Sequence, residues 1–276
     1  MSQGWLFVVS IVAGGVGALS GMGGGVILIP VLTLCGIDIK HAIALSVLSV
    51  VVISNSATPY YLRHHMPNLK VSGFLELYAL IGAAIGSLGA LAAPQRLLFV
   101  LCGSAFLISS AVLWRQGLGP WSKPRRLVVE QAAPAPQQSW QGSYYDEAEG
   151  HTLAYHGSHG AVAGPMMFVA AMAAGLLGIG SGAMTTLINT LVIGLPQKVS
   201  LTTTSLIIGV MALASAQVYL EAGFFDFHHL VPMIPGVMLG ALIGSRLMVK
   251  LRNRTIQRMF VCVLVGLGIE LLVRGL

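Results

Sequence analysis

Long apolar stretches separated by short polar segments run through the whole chain. They cover residues 4–19, 26–35, 41–62, 72–92 and 97–114 in the first half, and residues 161–177, 183–193, 199–220, 230–249 and 256–273 in the second. Four of each five could span a hydrocarbon core of about 30 Å as helices, whereas the second of each five reaches only about half that distance. The pattern therefore predicts an all-α polytopic membrane protein with one broken or half-length helix in each half.

The two halves repeat each other at an offset of about 158 residues. The run GMGGG at residues 21–25 returns as GIGSG at 178–182, and GAAIGS at 82–87 returns as GALIGS at 240–245. Two copies of one hydrophobic unit, each interrupted by glycine at membrane depth, are typical of a secondary transporter whose binding site lies between the repeats. We predict a first repeat at 1–116, a linker or small β-rich insertion at 117–160, and a second repeat at 161–276.

Charged residues in the loops predict that the two repeats have opposite orientations in the membrane. Between the third and fourth stretches, the first copy carries Arg63, His64, His65 and Lys70, and the second carries Glu221, Asp226, His228 and His229. Between the fourth and fifth stretches, the first copy has only Arg96, and the second has Lys250, Arg252, Arg254 and Arg258. Because basic residues in short loops mark the cytoplasmic face, we expect two inverted-topology repeats of about five segments each. Both termini are then external and the linker is cytoplasmic.

Composition supports the membrane assignment and limits the other function classes. Hydrophobic residues make up 55% of the chain, charged residues only 9%, and the mean hydropathy is +0.83. The net charge of +6 comes from residues beside the apolar stretches, so it reports orientation in the plasma (inner) membrane more simply than nucleic-acid binding. The three cysteines form no CxxC pair, and the spacing of His151, His156 and His159 matches no strong metal motif. We expect no metal, no cofactor and no nucleic-acid partner.

Residues 117–160 form the one stretch with a water-soluble composition. Short strands are predicted at 127–129 and 152–155, which would give a small β-hairpin on the membrane face. A flexible linker between the repeats is the alternative, and the sequence leaves both open.

The glycine clusters carry the strongest chemical prediction. A helix that begins inside the membrane after such a cluster directs unpaired N–H groups and a partial positive charge at the break. Glycine lets a ligand oxygen approach the backbone closely, which predicts an anion site without cationic side chains. The alternative is that these glycines only allow close helix packing. The candidate substrate-binding residues at the clusters are Ser20, Gly21, Gly23, Gly24, Gly25, Gly178, Gly180, Ser181 and Gly182.

Polar side chains in the neighbouring helices are further candidates. Ser46 and Thr204 could reach the site, although a buried hydroxyl often bonds its own helix. Asn55 and Gln217 carry amides, which need several partners in hydrocarbon. Glu76 is the candidate for a coupling proton, although a carboxylate at its depth can also reach the headgroups. The weaker candidates near the second cluster are Thr185, Thr186, Asn189, Thr203 and Ser205.

The order of these motifs resembles that of a known family, the TauE/SafE group of sulfite and organosulfonate exporters. The similarity rests on GMGGGVILIP ending at Pro30, followed by a helix that begins near Lys40, with both features recurring after the linker. The resemblance covers both repeats and implies a membrane permease for small sulfur-containing or organic acid anions. The second copy departs from the pattern, with Ser181 in place of Gly24 and Leu187 in place of Pro30.

Enzymatic alternatives have little support. The run GIGSGA at 178–183 fits a loose dinucleotide loop, but no strand precedes it and no βαβ unit follows. We therefore predict a non-enzyme: a secondary transporter that exports small anions, sulfite or organosulfonates, by alternating access. A passive anion channel and a permease for small carboxylates remain the alternatives. A homodimer is compatible with the sequence, which does not argue for one.

Overall fold

The computed structural model describes residues 3–21, 23–118, 140–146, 151–178, 182–250, 265–266, 268–269 and 271–273. Its helices are α1 Gln3–Ser20, α2 Gly25–Leu34, α3 Ile39–Arg63, α4 Leu69–Ala92, α5 Gln95–Leu118, α6 Gly160–Leu177, α7 Gly182–Leu187, α8 Gln197–Glu221 and α9 Phe227–Lys250. Helix α7 continues as a π-helical segment, Ile188–Ile193. Strands β1 Trp140–Asp146 and β2 His151–Gly157 pair antiparallel as a hairpin.

Within the described residues, six helices are long and apolar enough to cross a membrane, namely α1, α3, α4, α6, α8 and α9. The protein is therefore a mostly helical polytopic membrane protein, as predicted. The two short helices also lie where the apolar lengths placed them, α2 at Gly25–Leu34 and α7 with its π-helical segment at 182–193. Most of the predicted last stretch, 256–273, lies outside the described residues.

Local chemistry sets several helix ends. The side chain of Asp38 accepts the Lys40 N–H at 2.8 Å before α3. Asn68 does the same for the Val71 N–H at 3.1 Å before α4, and both satisfy amides that have no intrahelical acceptor. Helix α6 is capped at its C-terminus by Gly178, with φ of 65°, and the π-helical segment is capped by Gly194, with φ of 90°. Glycine suits both ends because it adopts left-handed backbone without strain.

Two helix pairs, α1 with α9 and α4 with α6, pack backbone against backbone. A Cβ atom added at Gly240 would lie 2.0 Å from the carbonyl oxygen of Ile11, and one at Gly86 would lie 2.0 Å from that of Met172. Neither position has room for a side chain. In a bilayer no hydrophobic effect drives helices together, and small residues instead allow the close packing that stabilises each helix pair. This accounts for much of the glycine content.

Helices α3 and α8 cross in the middle of the bundle and run antiparallel. The His41 ring lies 5.2 Å from that of Phe224 at one end. Near the centre, the Ser54 hydroxyl donates to the carbonyl of Ser205 at 2.6 Å. Corresponding tyrosines connect each of these helices to the first helix of the same half of the chain. Tyr61 of α3 donates to Ala18 O of α1 at 2.8 Å, and Tyr219 of α8 donates to Gly175 O of α6 at 3.2 Å.

The β-hairpin docks on the end of the bundle where α4 begins. The strand predicted at 152–155 lies within β2 and is confirmed; β1 was not predicted, and 127–129 lies outside the described residues. Tyr144 and Tyr155 are buried, and the Asn68 side chain donates to the Tyr155 hydroxyl at 3.2 Å. Burial raises the pKa of Tyr155, and the bond from Asn68 only partly offsets that shift.

Replacing Asn68 with alanine is expected to lower the free energy of unfolding by about 1–2 kcal/mol, because α4 loses its cap and the hairpin loses one bond. Denaturant titration in detergent micelles would measure the change. Tyr155→Phe removes only the hairpin bond, so it should cost less than Asn68→Ala. A larger loss from Tyr155→Phe would contradict the assigned role of the cap.

Candidate functional site

The first glycine cluster lies beside the middle of α3, deep in the bundle. A Cβ atom at Gly23 would lie 2.8 Å from Val50 Cγ2, and one at Gly24 would lie 2.7 Å from Ile53 Cδ1. Gly21, Gly23, Gly24 and Gly25 are all buried. Helix α2 therefore begins near the level at which α3 and α8 cross.

The cluster combines close packing with an uncapped helix start. Gly21 and Gly23 have φ of 63° and 79°, and a Cβ at Gly21 would lie 2.8 Å from Leu201 O of α8. Close packing and left-handed backbone therefore explain why glycine occupies these two positions. Gly24 precedes α2 and provides no side-chain cap bond. The Ile27 amide of the first turn donates to Gly24 O at 3.1 Å, and the Gly25 and Val26 amides, which have no acceptor within the helix, receive no cap from residue 24.

The second cluster makes the corresponding contact with α3. A Cβ at Gly178 would lie 2.4 Å from Ile43 Cγ2, and Ile43 holds the position in the first copy that Leu201 holds in the second. The Ser46 hydroxyl donates to Gly178 O at 2.9 Å, so two predicted site residues meet. Gly182 begins α7 and is buried, whereas Gly180 and Ser181 lie outside the described residues.

Thr204 belongs to a group of hydroxyls and one amide, all buried except the half-buried Thr190, between α8 and the helix after the second cluster. Its Oγ1 accepts from Thr186 Oγ1 at 3.3 Å and from Asn189 Nδ2 at 3.1 Å. Beside this pair, Thr190 Oγ1 donates to Ser200 Oγ at 3.0 Å, and Ser200 Oγ donates to Thr186 O at 3.1 Å. We call Thr186, Asn189, Thr190, Ser200 and Thr204 the polar cluster.

Ser20, Asn55, Gln217 and Glu76 are predicted site residues that do not belong to the polar cluster. Ser20 donates to Val16 O at 2.7 Å, within its own helix. Asn55 is exposed. Gln217 is also exposed and donates to Glu221 Oε1 at 3.2 Å, one turn further along α8. Glu76 is half-buried in α4, and its carboxylate accepts from Ser72 Oγ at 2.6 Å.

Sequence reasoning did not select Ser54, Asn68 or Ser200. Asn68 lies between the third and fourth apolar stretches, yet it is buried and its backbone N–H donates to Thr203 Oγ1 at 2.9 Å. A usable signal was the set Ser200, Thr202, Thr203 and Ser205, where the first copy has Ala42, Ala44, Leu45 and Val47. Polar residues that replace aliphatic ones in one copy of a repeat indicate where the two copies differ in role.

Comparisons with known proteins match almost the whole chain. The model of a family described as sulfite exporter TauE/SafE matches residues 6–271. The probable membrane transporter protein YunE of Bacillus subtilis (strain 168) is 24% identical over 281 residues, which cover 98% of this chain and 97% of that protein. No solved structure matches the chain significantly.

Proposed function

Because the chain belongs to the sulfite exporter TauE/SafE family, a family of membrane transporters, we propose that it exports small anions, namely sulfite or organosulfonates. The proposal includes alternating access in the plasma (inner) membrane. Residues 1–116 and 161–276 then act as inverted repeats of about five segments each, joined by a cytoplasmic linker at 117–160.

The observation that carries this proposal is the start of α2 beside the middle of α3. Gly23 and Gly24 pack on Val50 and Ile53 there, and Gly24, at the N-cap of α2, offers no side chain to its first turn. Amides and a positive helix end at that depth favour a negatively charged solute. Such a site would need no buried arginine or lysine.

Recurring contacts support the inverted arrangement. The close backbone contact between α1 and α9 recurs between α6 and α4, and Gly21 against Leu201 recurs as Gly178 against Ile43. Helices α3 and α8, which correspond in sequence, run antiparallel through the centre. Two similar units that exchange helices around such a centre can rock against each other, which is how alternating access proceeds in many carriers.

Flux measurements separate this proposal from its rivals. Purified protein in proteoliposomes should take up labelled sulfite at a rate that saturates with concentration. Competition by organosulfonates should exceed competition by carboxylates of similar size. Unsaturable flux that follows only the membrane potential would instead indicate a channel, and stronger competition by carboxylates would indicate a carboxylate permease.

A Glu76→Gln variant tests whether Glu76 carries a coupling proton. If it does, the variant should lose the dependence of uptake on a proton gradient.

A further inference from the structure

The amide of Asn189 has an unsatisfied polar atom. Its Nδ2 donates to Thr204 Oγ1, but Oδ1 has no hydrogen-bond partner in the described part of the chain. The residue is fully buried. A buried carbonyl oxygen without a donor costs free energy, and such groups in native proteins usually have a reason to be there.

Packing of the fold does not require this amide. The two short helices align through their glycine clusters, so Asn189 corresponds to Leu32 and Thr186 to Ile29; on the following helix, Ser200 corresponds to Ala42. Leu32, Ile29 and Ala42 are fully buried. One copy of the repeat therefore fills these positions with aliphatic side chains, and the other fills them with hydroxyls and an amide.

The backbone around Asn189 is also unusual. The helix changes from α to π at Ile188, one residue before it, and the Asn189 carbonyl accepts the Leu195 N–H at 2.9 Å beyond the end of the segment. The π-helix is rare in proteins, and where it occurs it is frequently at a functional site. Within this segment, the Asn189 side chain lies against Thr204 of α8.

We propose that Asn189 binds the hydrogen-bond donor of a small oxyanion substrate, such as the hydroxyl of a hydroxyalkyl sulfonate or the proton of hydrogensulfite. The inference rests on the proposed function and adds a specificity-determining residue to it. The free Oδ1 is an acceptor and pairs with an O–H group but not with a bare sulfonate oxygen. Asn189 therefore selects substrates that carry a donor. The negative charge is assigned to the start of α2, which follows Gly21, and Gly21 packs on Leu201, one turn before Thr204 on α8.

Competition between two matched sulfonates tests this role. Isethionate carries a hydroxyl, and ethanesulfonate has a similar carbon skeleton without it. For the wild-type protein, we expect the inhibition constant of isethionate against labelled sulfite uptake to be about tenfold lower than that of ethanesulfonate. In Asn189→Leu, which restores the residue of the first copy, the two constants should become equal through loss of isethionate affinity.

A control variant and a stability measurement separate binding from folding. Thr58 carries the other buried unpartnered side-chain oxygen among the described residues, so Thr58→Val should keep the tenfold preference. Asn189→Leu should unfold at the same temperature as the wild type or higher, because it removes an unsatisfied buried group. If that variant does not fold, Asn189→Ala removes the amide without adding volume.

The outcomes distinguish this inference from the proposed function. A wild-type protein without saturable flux of sulfite or sulfonates would overturn both. A wild-type protein that transports sulfite but does not discriminate between the two sulfonates would overturn the role of Asn189 alone. The same holds if an Asn189 variant keeps the tenfold preference.

Discussion

Replacing Gly86 with alanine is expected to lower the free energy of unfolding by about 3 kcal/mol. The added Cβ would lie 2.0 Å from the carbonyl oxygen of Met172 and 3.0 Å from the backbone nitrogen of Leu176. Both atoms belong to the backbone of α6, which cannot rotate away as a side chain does, so α4 and α6 would have to separate. Alanine stabilises a helix relative to glycine by about 1 kcal/mol. The cost of the clash is larger, so the variant is expected to be less stable than the wild type. Titration with sodium dodecyl sulfate in mixed micelles would measure the loss.

Gly89 of the same helix provides the matched control. A Cβ at Gly89 would approach only Leu176 Cδ1, at 3.8 Å, which is an ordinary contact. Gly89→Ala should therefore leave stability unchanged or raise it by up to about 1 kcal/mol through helix propensity alone. Equal losses for the two variants would mean that close backbone packing of α4 on α6 is not what glycine provides here.

The length of an apolar stretch and the glycine repeat were sufficient to predict most helices. Bilayer thickness fixes how long a spanning helix must be, so the short α2 stood out in the sequence. Strand β1 was missed because Trp140–Asp146 contains Gly142 and shows no regular alternation of polar and apolar residues. Its burial of Tyr144 depends on docking against the bundle. The π-helical segment also escaped prediction, because one extra residue per turn leaves no periodic signal over six residues.

Candidate site residues were harder to predict than helices, because the type of a residue does not determine whether its side chain faces the interior of the bundle or the lipid. Asn55 was selected as an amide within hydrocarbon, yet it is exposed, and Leu213 at the corresponding position of the second copy is also exposed. In a helix that is apolar all round, sequence cannot tell the inward face from the lipid face. The contact of Ser46 with Gly178 joins residues 132 positions apart. The repeat identified both elements, but it did not predict this pairing.

Replacing Gly23 with alanine is expected to reduce sulfite uptake by about tenfold to a hundredfold, because a misplacement of roughly 1 Å can cost about a hundredfold in rate. Gly23 has φ of 79°, and the added Cβ would lie 2.8 Å from Val50 Cγ2. Relief of the contact would move the start of α2 away from the middle of α3, together with the amides assigned to the anion. Initial rates in proteoliposomes, normalised to the amount of reconstituted protein, would measure the effect.

Gly36 provides a control that separates backbone strain from displacement of α2. It too has a positive φ, 84°, but a Cβ there would meet no atom within 4 Å. Gly36→Ala should carry the same left-handed backbone cost of about 1–2 kcal/mol and retain most of the uptake, since it lies beyond the other end of α2. Adding Val50→Ala to Gly23→Ala removes the steric contact, so partial recovery of uptake would assign the remaining loss to the backbone. Wild-type uptake by Gly23→Ala would mean that the start of α2 is not where the anion binds.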